Sequence, residues 1–266
     1  MTSDFQSYFI CTSPRSGSTL LCHLLRDTKM AGNPHSHFHK PSLDAWCSYY
    51  GLNHAGFIDD RACLRAILSA AQTLGRGDGD IFGLRLQQDS FDFFLAQLAK
   101  LHADAVSGAE RIEATFGRTL YIHLTRQTTL DQAISLEMAL QTGLWHRRGD
   151  GSELERQVPH QTPVYNPAAI QDHIVVARAK ERMWQGWFQS QGITPLHVTY
   201  ETLSAAPIQT CNRIIDALGI AAVEHHNNLM PTAKLADETS RQWARQFRND
   251  HPNWVTSDMS VAFQTA

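Results

Sequence analysis

Cysteine is scarce in this chain of 266 residues: Cys11, Cys22, Cys47, Cys63 and Cys211 are odd in number, and no Cys-x-x-Cys occurs. That excludes a disulfide framework and reads as reduced, mostly buried thiols in a cytoplasmic protein. No apolar run approaches membrane-spanning length. Met1 to Ser7 carries no basic residue, and the apolar run after it is too short for the core of a signal peptide. A cytoplasmic protein that does not span a membrane is therefore expected. Charge is sparse as well: charged residues make up 18% and the net charge is −3, which offers no basic surface for nucleic acid. No internal repeat, low-complexity run or linker divides the chain. With 42% hydrophobic residues it is expected to bury one core, as a single domain over 1–266. The pattern does not fix the oligomeric state, and a homo-oligomer stays open.

What is present is an alternation of short β-prone runs with longer helical stripes. Strands are expected at Tyr8–Cys11, Ile81–Leu86, Thr119–Leu124 and Leu196–Tyr200. Helices are expected from Leu20, over Leu43–Tyr50 with Ser42 as cap, and over Asp59–Leu74 with Ile58 on its apolar side. Further helices are expected at Ser90–His102, Ala109–Phe116, Thr129–Gln141, Ala168–Ser190, Ala206–Leu218 and Thr239–Asn249. Gly75–Asp80 reads as a break, Met30–Pro41 as an exposed loop, and Gly143–Tyr165 as a long loop or insertion. Strands separated by helices of this length imply an α/β fold, a central parallel sheet with helices on both faces.

The stretch from Tyr8 to Leu21 is the one around which the rest is organised. A buried strand gives way to Ser13-Pro14-Arg15-Ser16-Gly17-Ser18-Thr19, and Leu20, Leu21, Leu24 and Leu25 then resume at helical spacing. A strand running through a Gly/Ser turn into a helix N-terminus gathers backbone N–H groups, a positive dipole end and hydroxyl donors, which together suit an anion. Arg15 adds a full charge. The plainer alternative is a turn in which Ser16 or Ser18 only caps the helix. The loop departs from the Walker pattern, because Gly17 is followed by Ser18 and not by Lys. A second strand end carries Arg126, with Ser135 nine residues on in the next helix. A guanidinium and a hydroxyl at that spacing suit a second phosphate; otherwise Arg126 pairs with Asp131 and Ser135 faces solvent.

Arg15-Ser-Gly-Ser-Thr-Leu-Leu21 resembles the 5′-phosphosulfate loop of sulfotransferases, which use 3′-phosphoadenosine 5′-phosphosulfate (PAPS). The resemblance is closest to the bacterial trehalose 2-sulfotransferase family and its rhizobial glycoconjugate relatives, and it covers nearly the whole chain. It extends to Ala31-Gly32-x-Pro34, Gln141-Thr142-x-x-Trp145, Trp184-x-x-Trp187-Phe188, Gly192-Ile193-x-Pro195-Leu196, Val198-x-Tyr200-Glu201-x-Leu203, and Ala236-Asp237 with Trp243 and Phe247. It implies a P-loop-like sulfotransferase fold. Pro14, Arg15, Ser16, Gly17, Ser18 and Thr19 would hold the 5′-phosphosulfate, and Arg126 and Ser135 the 3′-phosphate. Trp184 and Phe188, at helical spacing, are assigned to the core.

One departure bears on the chemistry. The family reads Gly-Glu-Pro-x-Glu after the first helix, with a Glu as general base, whereas this chain reads Gly32-Asn33-Pro34-His35-Ser36. His35, His37 and His39 stand in place of the carboxylates, and a neutral imidazole suits proton removal near neutral pH. His37 is favoured over His35, because the family turns the residues around position 36 inward. His-x-His-x-His could also suggest a metal, yet PAPS-dependent transfer needs none and no carboxylate or thiol lies nearby to complete a site. The expected function is transfer of a sulfuryl group from PAPS to a hydroxyl of a sugar or glycoconjugate. Arg15 would stabilise the developing charge, and Arg85, at the end of its strand, would be a further cation beside the transferring group. The alternatives are a catalytically weak protein that binds nucleotide or glycan, and a P-loop kinase.

Overall fold

Tyr8 to Cys11 alternate between two apolar layers, and that alternation sets the architecture. In the computed structural model, which describes residues 4–147, 150, 152–220, 238–252 and 254, strand β1 (Ser7–Thr12) is buried along its whole length. Phe9 and Cys11 face one layer with Phe38, Trp46, Phe82, Phe94 and Phe116; Tyr8 and Ile10 face the other with Leu21, Leu25, Ile122 and Ile214. Phe9 meets the rings of Phe82, Phe94, Phe116 and Tyr121 edge-on, at centroid separations of 5.4 to 6.4 Å. Each such side chain contributes about 1.5–3 kcal/mol by leaving water.

From β1 the chain passes through α1 (Ser18–Asp27), α2 (Leu43–Tyr49) and α3 (Asp60–Arg76) to β2 (Phe82–Gln87). Then come α4 (Gln88–Leu101), α5 (Gly108–Phe116), β3 (Thr119–Thr125) and α6 (Thr129–Thr142). The strands β4 (Leu144–Arg147) and β5 (Glu153–Arg156) form an antiparallel pair. They precede α7 (Pro167–Ser190), β6 (Leu196–Thr199), α8 (Tyr200–Ala205), α9 (Pro207–Ala217) and α10 (Glu238–Asp250). The main sheet has the order β2-β1-β3-β6 and is parallel throughout. Thr12 stands opposite both Gln87 and Leu124, so the carboxyl ends of three strands open at one edge. Helices cover both faces, as expected for a buried parallel sheet. A third cluster, with Ile134, Ile170, Trp243 and Phe247, packs α6, α7 and α10 together beside that edge.

Four expectations are corrected by the structure. Ile58 is 94% exposed, because Asp59 caps α3 through the Ala62 amide and leaves Ile58 outside the helix. Gly75 does not break α3: a Cβ there would lie 2.4 Å from the Phe82 ring, so glycine allows the helix to press onto β2. The segment from Gly143 to Tyr165 is not all loop, since it contains the β4–β5 hairpin. Tyr200 is not in a strand; it opens α8, whose Leu203 is buried under the sheet. Trp184 and Phe188 are buried as expected, and Trp184 Nε1 donates to the Thr12 carbonyl at 3.0 Å. Ala236 and Asp237 lie outside the described residues.

Candidate active site

Beyond Thr12 the chain turns through 13–17 into α1, and the turn needs unusual backbone. Gly17 has φ 84° and Arg15 has φ 65°, both in the left-handed region. Glycine reaches that region freely, while Arg15 is held there at a cost of roughly 1–3 kcal/mol, the kind of strain found at functional sites. A Cβ on Gly17 would lie 2.6 Å from the Tyr200 ring, so that side chain could not be added without displacing Tyr200. The turn is pinned from within. Thr12 Oγ1 donates to the Leu124 carbonyl at 2.8 Å and contacts the buried Ser16 hydroxyl, while Gln132 Nε2 donates to Ser13 Oγ at 2.9 Å and to the Pro14 carbonyl at 2.7 Å.

Beside this turn opens a cavity of about 480 Å³. Arg15, Gly17, Ser18, Thr19, Arg126 and Ser135 all line it, so the two anion sites read from sequence converge on one space. Pro14 and Ser16 do not line it; the Ser16 hydroxyl turns back to donate to the Ser13 carbonyl. The two sites are also interlocked rather than separate. Ser135 Oγ accepts from Arg15 Nε at 3.0 Å, and Arg126 Nη1 donates to the Arg15 carbonyl at 3.2 Å. Arg15 Nη1 reaches the Trp145 carbonyl at 2.7 Å. Arg126 lies over the Tyr200 ring, 4.5 Å from its centroid, and its Nε is buried without a partner. Asp131, the alternative partner of Arg126, makes its ion pair with Arg248 instead, at 3.8 Å.

Two half-buried guanidinium groups thus face one cavity with neutral oxygens and a ring as their direct partners among the described residues. Burial lowers the pKa of Arg15 to about 10, with the neighbouring Arg126 adding to the effect, and burial lowers that of Arg126 as well. Such an arrangement stores unfavourable charge, which a bound anion relieves. Among the described residues no lysine lines the cavity. Further arginines do: Arg156 on β5, and Arg241, Arg245 and Arg248 on α10.

The second half of the expected site is arranged differently. Arg85 does not reach the cavity wall; its Nη1 donates to Thr19 Oγ1 at 2.9 Å and its Nε to Ser36 Oγ at 2.8 Å, one residue behind the wall. Neither His35 nor His37 lines the cavity. His37, the favoured base, is 0% exposed, with its ring 5.7 Å from that of Phe82 and its Nε2 donating to the Asn33 carbonyl at 3.2 Å. The reason is local. The His37 amide donates back to the His35 carbonyl at 2.9 Å, a tight turn that breaks the strand-like alternation and swings the ring into the core. His35 is exposed, with Nδ1 3.2 Å from the Tyr49 hydroxyl. Burial lowers the pKa of His37 to about 4, and partial desolvation of the His35 ring against its neighbours, helped by Arg85, lowers that of His35 as far.

Sequence reasoning passed over Gln132, Tyr200 and the hairpin residues Trp145 and His146. Trp145 and Tyr200 belonged to matched motifs but had no role assigned. Leu144-Trp145-His146-Arg147 is short and lacks the alternation of a strand, and the surrounding glycines and prolines argue for loop. Among the described residues no group of three or more His, Cys, Asp or Glu is placed to hold a metal, and no helix is long and apolar enough to cross a membrane.

The family model for Stf0 sulphotransferases matches residues 7–250. The chain belongs to the Stf0 sulfotransferase family. It is 27% identical to a trehalose 2-sulfotransferase of Mycolicibacterium smegmatis, over 92% of this chain and 95% of the relative. It is 25% identical to that of Mycobacterium tuberculosis, over 95% and 98%. Among solved structures, the sulfotransferase domain of the Synechococcus PCC 7002 olefin synthase aligns over 93% of this chain and 96% of its own, at a TM-score of 0.46 and 16% identity.

Proposed function

We propose that the protein, acting in the cytoplasm as one domain over 1–266, transfers a sulfuryl group from PAPS to a hydroxyl of a carbohydrate. The observation that carries this reading is the pair of half-buried guanidinium groups, Arg15 and Arg126, joined through the Arg15 carbonyl and facing one cavity, with no carboxylate among the described residues bound to either. PAPS presents two separate anionic groups on one nucleoside, and the residues present fit it. The loop amides, Ser18, Thr19 and Arg15 suit the phosphosulfate end, and Arg126, with its unpartnered Nε, suits the 3′-phosphate. Ser135 serves between the two, because it already accepts from Arg15. A kinase reading is disfavoured by the same wall, where the described residues offer no lysine for a terminal phosphate. A carbohydrate acceptor is favoured by the similarity to trehalose 2-sulfotransferases.

When bound, PAPS supplies the activated sulfuryl group. The protein's own part is to position and to stabilise charge. Arg15 neutralises the charge that grows on the bridging oxygen as the nucleotide leaves, and Arg85 holds Thr19 in place from behind. The test is transfer of radiolabel from [35S]PAPS to a panel of mono- and disaccharides that includes trehalose, with chelator present. Labelled sugar supports the reading. Label that stays on the nucleotide with every sugar, while 3′,5′-ADP binds tightly, favours a binding protein, a second reading that the absence of His35 and His37 from the cavity wall encourages.

A further inference from the structure

If neither His35 nor His37 faces the cavity, the acceptor proton must go elsewhere. Among the described residues, the carboxylate and imidazoles on the cavity wall that could take it are Asp131, His146 and His160. Asp131 is committed to Arg248. His160 is exposed in the segment that follows β5. His146 differs from both, because it is wired to the loop that carries Arg15. Its Nε2 lies 3.2 Å from Thr19 Oγ1, and the same oxygen accepts from Arg85 Nη1 at 2.9 Å. Accepting from Arg85 leaves the Thr19 hydroxyl a hydrogen that it can give to His146, and in that tautomer Nε2 carries the lone pair and Nδ1 the proton. The strand is fastened at the same point, since the carbonyl of the adjacent Trp145 accepts from Arg15 Nη1 at 2.7 Å. Across the hairpin His146 is paired with Glu155, whose Oε2 lies 3.6 Å from Nε2.

We propose that His146 is the general base of the transfer and that Glu155 is a positioning residue that steadies the imidazolium it becomes. This rests on the sulfotransferase reading above. When the phosphosulfate draws the Thr19 hydroxyl to itself, Nε2 is released to the acceptor. The acceptor O–H bond then breaks toward Nε2, its oxygen forms the new bond to sulfur, and the bond from sulfur to the bridging phosphate oxygen breaks. That electron pair leaves with 3′,5′-ADP, and the imidazolium returns its proton to water. The groups facing His146 are Arg15 from the loop, His23 from α1, Arg85 from β2 and Glu155 from β5. Burial first, and then Arg15 and Arg85, lowers its pKa to about 4, which keeps the ring neutral at pH 7. An anion between the two arginines offsets their effect and brings the base nearer its working range.

The experiment compares wild type, His146→Gln, His146→Ala, His160→Gln and Glu155→Gln, reading kcat with PAPS and a sugar acceptor across pH, and 3′,5′-ADP affinity by calorimetry. Loss of about 10²–10⁴-fold in kcat in both His146 variants is expected, with 3′,5′-ADP affinity kept and the acid limb of the pH profile gone. Glu155→Gln should lose less and shift that limb to lower pH. Normal turnover by His146→Gln, a retained acid limb, or a loss confined to His160→Gln would overturn this inference alone. A wild type that binds no 3′,5′-ADP, or transfers to no carbohydrate, would overturn the functional reading and this inference with it.

Discussion

Two loops meet the carboxyl edge of the sheet, and they treat charge in opposite ways. The 13–17 turn holds a permanent cation, Arg15, half-buried against a second one, Arg126, and leaves both facing a cavity. The 33–39 loop buries an imidazole, His37, and holds it uncharged against Phe82. A guanidinium cannot shed its proton at neutral pH, so the first loop keeps its charge and is completed by an anion. An imidazole can shed its proton, so above pH 6.5 the second loop buries no charge and becomes part of the core. The lesson is that a histidine cluster in a loop beside an active site is evidence of chemistry only where the rings reach the cavity.

The contrast can be broken most severely at Arg15. Its replacement by Ala should reduce kcat by about 10²–10³-fold, the loss typical of removing one donor to developing charge, measured with PAPS and a sugar acceptor. A smaller loss than that of His37→Ala would reverse the roles of the two loops. Next comes Arg126→Ala, which should weaken 3′,5′-ADP binding by about 1.5–3 kcal/mol while AMP binding barely changes, because one charge-assisted contact is lost. Equal losses for both nucleotides would show that Arg126 works through Arg15, whose carbonyl it holds, rather than through the 3′-phosphate.

His37→Ala should cost about 1–3 kcal/mol of stability by denaturant melt and leave kcat intact. Its pH behaviour sharpens the point. The folded pKa of about 4 lies below the unfolded value near 6.5, so the unfolded chain takes up the proton first. The stability tied to a neutral His37 is therefore complete above pH 6.5 and is lost as pH falls through that value toward 4. In His37→Ala this acid loss should be shallower. The smallest effect belongs to His35→Ala, where an exposed ring against Tyr49 is removed; a change within about 0.5 kcal/mol is expected.

Much of this was legible because the signals were local. Tyr8–Cys11 followed by Arg15-Ser-Gly-Ser-Thr specifies strand, turn and helix within a dozen residues, and the turn was found where it was read. The convergence of Arg126 and Ser135 on the same cavity followed from parallel strands ending at one edge. What was not legible depends on distant partners. Ser135 was read with Arg126 but bonds to Arg15, 120 residues away in sequence, because the α6 surface faces the loop rather than the β3 end. His37 was read as inward and reactive; it is inward, but a backbone turn with His35 directs it past the cavity into the aromatic layer. His146 was hidden in a segment whose glycines and prolines argued for loop, and cross-strand pairing with Glu155 is what made it a strand.

The measurement closest to the central claim is calorimetric titration of the wild-type protein with 3′,5′-ADP and with AMP, in chelator and at matched salt. Two guanidinium groups facing one cavity should bind 3′,5′-ADP more tightly than AMP by about 1.5–3 kcal/mol, the worth of one further charged hydrogen-bonded contact. Equal affinity for the two nucleotides, or binding that requires ATP with Mg²⁺, would contradict it.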